Sequence, residues 1–101
     1  MYIAMNRFKI APGMEEGFEA LWRERDTHLP ENKGFQSFKL LRGSKKEEYT
    51  LYASHTVWDS EADFIAWTES ESFRASHAKA RAPKGTYLSH PELETFEAIL
   101  D

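Results

Sequence analysis

The amino-acid sequence predicts an α+β domain: a four-stranded antiparallel sheet with two helices packed on one of its faces. Three observations carry that expectation. Segments of alternating or β-branched and aromatic character fall at residues 2–10, 35–42, 48–58 and 92–100. Stretches with apolar residues at helical spacing separate the first from the second and the third from the fourth. At 101 residues the chain has room for one domain, spanning 1–101, with a modest core.

Each element has its own signal. In the first segment, YIAMNRFKI, Tyr2, Ala4, Asn6, Phe8 and Ile10 share one face, while Ile3, Met5, Arg7 and Lys9 share the other. Ala11-Pro12-Gly13 ends it. Residues 14–28 read as a helix because Met14, Phe18, Leu21 and Trp22 form one apolar stripe, with Gly17 a small cost. Pro30 and Gly34 mark the following loop. FQSFKLLR at 35–42 and EYTLYASHTVW at 48–58, joined by a turn over 43–47, read as a β-hairpin. Ser60 followed three residues later by Asp63 is a capping-box variant that opens the second helix, which places Phe64 and Trp67 on one face. Ser70 and Ser72 interrupt it, and a second piece carries Phe73 and His77 at i, i+4. Residues 79–86, KARAPKGT, read as a loop, and 92–100, after Pro91, as a last strand that covers a sheet edge. The order strand, helix, strand, strand, helix, strand (βαββαβ) is the split-βαβ, ferredoxin-like arrangement. Both helices on one face leave the other face open, and a 14% aromatic content needs burial, so a homodimer packing two sheets face to face is expected.

Bulk properties narrow the function. The net charge is −4 without a basic stripe, so nucleic acid is not an expected partner. No apolar run approaches about 18 residues and no secretory leader pattern opens the chain, so neither a membrane span nor export is expected. The absence of cysteine removes disulfides, thiolate nucleophiles and cysteine-held metals, and fits a reducing cytoplasm. The four histidines form no HxH, HExxH or HxxxH pair, and neither a Gly-rich phosphate loop nor GxSxG occurs.

Three residues stand out. Asn6 puts an amide on an otherwise apolar strand face, where a buried amide without a partner costs about 1–3 kcal/mol. It can bond nearby backbone, or donate its NH2 to a bound oxygen species. Trp67 reads as core packing or as a ring-facing indole. His77 reads as a surface histidine or as an axial ligand to haem iron, with Phe73 one turn before it and Lys79, Arg81 and Lys84 after it as cations for propionates. The remaining histidines are weaker candidates: His28 at the end of the first helix, favoured there by the helix dipole, His55 in the third strand facing core or interface, and His90 in a loop.

Asn6 within MNRF, the TVW-x-S run of Thr56, Val57, Trp58 and Ser60, and the F-x-x-W…F-x-x-x-H run of Phe64, Trp67, Phe73 and His77 together resemble the IsdG-type haem-degrading monooxygenases. These form a branch of the antibiotic biosynthesis monooxygenase superfamily of dimeric ferredoxin-like α+β barrels. The TVW and FxxW signatures also occur in superfamily members that bind no haem; the asparagine and the histidine narrow the match. The resemblance implies haem as both cofactor and substrate, O2, and an external electron donor supplied by a reductase. It implies ring cleavage with release of iron and an open-chain tetrapyrrole. It assigns the proximal iron ligand to His77, distortion of the porphyrin to Trp67, and hydrogen bonding to the oxygen species to Asn6. Phe64 and Phe73 join the haem pocket, and Arg23 or Arg25 is a looser match for a propionate contact. Two alternatives stay open: a cofactor-independent monooxygenase of an aromatic or polyketide substrate, which leaves His77 incidental, and a non-enzymatic haem-binding dimer.

Overall fold

The structure, a computed structural model, describes residues 1–25, 27–71, 73–74 and 82–100. Strand β1 spans Tyr2–Ile10, helix α1 Glu15–Glu24, strand β2 Phe35–Lys45, strand β3 Thr50–Trp58, helix α2 Glu61–Thr68 and strand β4 Glu92–Glu97, with a 3-10 turn at Leu29–Glu31. The four strands form one sheet in the order β2-β3-β1-β4, every neighbouring pair antiparallel. This is the expected ferredoxin-like α+β arrangement.

Alternation in β1 decides where the core forms. Its even-numbered residues face the helices together with the even-numbered residues of β3, because the register pairs Tyr2 with Trp58, Ala4 with Thr56, Asn6 with Ser54 and Phe8 with Tyr52. In β2 an irregularity between Phe35 and Ser37 shifts the alternation, so that Phe35 and Phe38 both pack toward the helix side. Two apolar clusters result. Ala4, Leu29, Trp58 and Phe64 hold α2 on one end of the sheet. Phe8, Ile10, Phe18 and Tyr52 hold α1 on the other. Full burial of each large side chain here stabilises by about 1.5–3 kcal/mol. Between the clusters lie the small and polar residues Asn6, Ser54 and Thr56, and there the helix layer leaves a gap.

A polar clamp fastens α1. The Tyr52 hydroxyl donates to Glu19 Oε2 at 2.5 Å, and Arg42 reaches the same carboxylate through Nε at 3.1 Å and Nη2 at 3.2 Å. The Tyr52 hydroxyl and then Arg42 hold the Glu19 carboxyl below the usual carboxylate range. Burial, reinforced by Glu19, pushes the Tyr52 phenol up to about 12.

Several boundaries differ from expectation. Helix α1 stops at Glu24 instead of reaching His28: its last apolar contact is Trp22, and Arg25 turns extended with its N–H on the Trp22 carbonyl at 3.3 Å. His28 is therefore not at a helix C-terminus. It adopts a left-handed backbone, φ 57°, beside the 3-10 turn, and its Nδ1 lies 3.1 Å from Glu31 Oε2. Strand β2 runs on to Lys45 where 42 was expected, β3 starts at Thr50 where 48 was expected, and the turn moves to 46–49 with Lys46 N–H on the Tyr49 carbonyl at 2.8 Å. Strand β4 ends at Glu97 where 100 was expected. The close of the expected 79–86 loop is anchored: Thr86 is buried, Tyr87 bridges Ile10, and Leu88 N–H bonds the Lys9 carbonyl at 3.0 Å. Among the described residues no helix is long and apolar enough to cross a membrane.

Candidate functional site

The gap between the two helices is a cavity of about 120 Å³. Ala4 and Asn6 of β1, Ser54 and Thr56 of β3, Phe38 of β2 and Leu93 of β4 form its floor. Trp22, Arg25, Thr27 and Leu29 close the α1 side, and Phe64, Trp67 and Phe73 close the α2 side.

Asn6 reaches the floor because its place in the alternation puts it on the helix side, flanked by Ser54 in β3 and Leu93 in β4. Among the described residues no hydrogen bond to its carboxamide is found, so both the donor and the acceptor remain available to a ligand. Thr56, by contrast, uses its hydroxyl to donate to the Ala4 carbonyl at 3.2 Å.

The α2 side is shaped by serines. Ser60 accepts from the Asp63 N–H at 3.2 Å and so caps α2, as the sequence pattern predicts. Its hydroxyl also donates to the Asp63 carboxylate at 3.0 Å, where a full capping box would have the acid reach back to the backbone. At the other end Ser70 donates to the Trp67 carbonyl at 2.6 Å and accepts from the Phe73 N–H at 3.1 Å. One serine thus closes α2 and starts the helical turn that follows, and the chain bends there. The bend brings the Phe73 ring edge-on to Trp67, centroids 4.8 Å apart at 83°. Trp67 also packs on Trp58 at 5.8 Å, and Phe64 sits between Tyr2 and Trp58.

On the α1 side Trp22 stacks on Phe38, 5.6 Å apart at 18°. The Arg25 guanidinium lies 4.4 Å from the centre of the Trp22 ring. Burial lowers the Arg25 pKa, yet a guanidinium stays cationic at neutral pH. Arg23 lines a neighbouring recess with Glu19 and Arg42, so of the two candidate cations only Arg25 borders this cavity.

The sequence-derived candidates Asn6, Phe64, Trp67 and Phe73 therefore meet at one cavity. His77 lies outside the described residues, as do Lys79 and Arg81. Ser54, Trp22 and Phe38 were not anticipated. Ser54 was findable in principle: once β1 and β3 are paired, it is the cross-strand neighbour of Asn6. Chemically the recess suits a flat, largely apolar ligand held between aromatic planes, with a polar atom near Asn6 and an anionic group near Arg25.

Comparison with known proteins agrees with this chemistry. The family profile described as antibiotic biosynthesis monooxygenase matches residues 1–79. A haem-degrading monooxygenase of Shouchella clausii is 32% identical over 98 residues, covering 96% of this chain and 89% of that protein. A staphylobilin-producing haem oxygenase of Staphylococcus saprophyticus is 29% identical over 77 residues, 76% of this chain and 73% of its own. The haem-degrader MhuD of Mycobacterium tuberculosis, solved with two haems in its active site, superposes with a TM-score of 0.78 at 30% identity, covering 100% of this chain and 98% of that one.

Proposed function

Because the chain belongs to the antibiotic biosynthesis monooxygenase family, we propose that its aromatic recess is the site of a haem-degrading monooxygenase, which opens the porphyrin with O2 and an external reductant and releases iron and an open-chain tetrapyrrole. The observation that carries this reading is the convergence of Asn6, from the first strand, with Phe64, Trp67 and Phe73, from the far side of the sequence, on one aromatic cavity bordered by a half-buried guanidinium. The names of the relatives at 32% and 30% identity support it.

The residues fit the group in chemistry. Aromatic planes suit a macrocycle, Arg25 suits a propionate, and the Asn6 amide suits a polar atom at the ring centre. In volume the recess is small: about 120 Å³, against ~300 Å³ at the lower end of small-molecule sites. To admit a macrocycle the recess would have to widen, and the Trp67–Phe73 edge contact beside Ser70 is the wall that would give way.

When bound, the iron porphyrin supplies the oxygen activation. The chain supplies everything around it. His77 would supply the iron ligand, Trp67 would set its indole against the macrocycle, and Asn6 would offer its side-chain N–H to a polar atom of the bound group. The walls exclude water. The same reading places a second copy of the chain on the open sheet face, takes electrons from a reductase, and locates the reaction in the cytoplasm.

Two substitutions test the assignment. Asn6→Ala should bind hemin with unchanged affinity and lose roughly 10²-fold in degradation rate, the order expected when one donor to developing charge is removed. His77→Ala should lose the Soret band of a histidine-ligated complex. Wild-type degradation by either protein would sink the roles given to these residues.

A further inference from the structure

We propose that Trp67, Trp58 and Tyr2 form an electron relay that carries an oxidising equivalent from the recess to the protein surface, ending as a tyrosyl radical at Tyr2 with its proton on Glu61. The route is read from the geometry. The oxidant rests on the haem-degrading function proposed above: it is the one-electron oxidant formed when an iron porphyrin in the recess meets a peroxide.

Tryptophan and tyrosine are the aromatic side chains that give up an electron most readily, and phenylalanine does not compete with them. Trp67 lines the cavity, and its ring centre lies 5.8 Å from that of Trp58, the planes inclined by 36°. Trp58 is fully buried, and its cross-strand partner in β1 is Tyr2. Phe64 packs against both, at 6.1 Å from Trp58 and 5.8 Å from Tyr2, and so keeps water out of the cluster.

Protons decide where the hole stops. An oxidised indole is far more acidic than the neutral ring and becomes a lasting radical where its N–H proton has somewhere to go. Among the described residues the buried Trp58 Nε1–H meets no acceptor. Its radical cation therefore keeps both its proton and its oxidising power, and Trp58 acts as a relay rather than a trap. Tyr2 is the opposite case. Its half-buried phenol donates to Glu61 Oε2 at 3.3 Å, and Glu61 is exposed to solvent. Loss of an electron from Tyr2 is coupled to transfer of its proton to that carboxylate.

The step balances. One electron passes from Tyr2 through Trp58 and Trp67 to the oxidant, which is reduced by one electron. The Tyr2 O–H bond breaks, its proton forms an O–H bond on Glu61, and a neutral tyrosyl radical remains. The other tryptophan bordering the recess is a poor entry point. Trp22 carries the Arg25 cation 4.4 Å from its ring centre, which opposes removal of an electron. Its ring neighbours Phe8, Phe18 and Phe38 are all phenylalanines. The relay gives an oxidant that fails to cleave the ring a way out that spares Trp67.

The test is freeze-quench electron paramagnetic resonance on the hemin-loaded protein mixed with hydrogen peroxide, with peptide mass spectrometry of the same samples. Wild type should show a tyrosyl signal. Tyr2→Phe should lose it, show an indole signal instead, and accumulate oxygen on Trp58 and Trp67. Trp58→Phe should also lose the Tyr2 signal and concentrate oxidation on Trp67, and Glu61→Gln should delay the tyrosyl signal. A full tyrosyl signal in Tyr2→Phe, a variant that keeps the ring and therefore the packing, would overturn the relay. So would bound, degradable hemin that yields no Tyr2 radical in wild type, while leaving the haem reading intact. Absence of any Soret change on hemin addition overturns both.

Discussion

Asn6 lines the floor of the recess, and Glu19 fastens α1 to the hairpin through Tyr52 and Arg42. Asn6 was legible in the sequence because it interrupts a face of Tyr2, Ala4, Phe8 and Ile10. Ser54 was not, since TLYASHTVW already mixes hydroxyls into its alternation, and its proximity to Asn6 depends on the β1–β3 register. Arg25 was only a loose candidate, because its closeness to the cavity follows from α1 ending at Glu24, and no glycine or proline in 23–28 announces that end. Glu19 gave no signal at all; its role depends on Tyr52 and Arg42 arriving from the hairpin. Its carboxyl is held below the ordinary value of 4.5, so it stabilises the fold above that pH and loses the contribution as pH falls through the lowered value. Tyr52, raised from 10.0 to about 12, stabilises below pH 10 and loses its contribution as pH rises toward 12. Melting temperature should therefore fall on both flanks, and Glu19→Gln should flatten the acid flank. An acid flank of unchanged steepness in that variant would contradict the assignment.

At the scale of elements, the sequence marked existence and order well and ends poorly. Ser60 and Asp63 announced α2, and the capping bond is present. In the sequence Ser70 interrupts the helical pattern; its two hydrogen bonds make it the joint that turns Phe73 onto Trp67. His28 and Glu97 show why ends fail: each boundary is set by where tertiary contacts stop, which local pattern does not encode. Gly34 ties the loop before β2 to the start of α2. Its φ is +82°, its carbonyl accepts from the Asp59 N–H at 2.8 Å, and a Cβ there would overlap the Asp63 side chain. Gly34→Ala should cost about 1–3 kcal/mol in chemical denaturation, from backbone and overlap together. Ser60→Ala should cost about 1 kcal/mol, the worth of a helix cap. A neutral result for Gly34→Ala would mean that the loop does not hold α2 in place.

For the molecule as a whole, the four-stranded antiparallel sheet with its helices on one face follows from the βαββαβ order of the elements, which is why it could be foreseen. The sheet's other side is the face that the sequence expects a second copy of the chain to cover. That face carries Ile3, Met5, Leu51, Ala53, His55 and Val57 half-buried, with Phe96 50% exposed and Leu41 39% exposed. Apolar surface of this kind calls for a cover, and the second copy proposed above would cover it symmetrically. Sedimentation should give twice the 11.7 kDa chain mass, and Val57→Lys should halve it while leaving the α2 cap intact. A monomer at micromolar concentration would remove the dimer from the account. The central claim, that the recess takes haem and destroys it, is tested most directly by titrating purified protein with hemin, then adding reductant in air and analysing the product by mass spectrometry. The account predicts a saturating histidine-ligated Soret band that bleaches to an open-chain tetrapyrrole with iron released. A hemin complex that survives reductant and oxygen unchanged, or no complex at all, would contradict it.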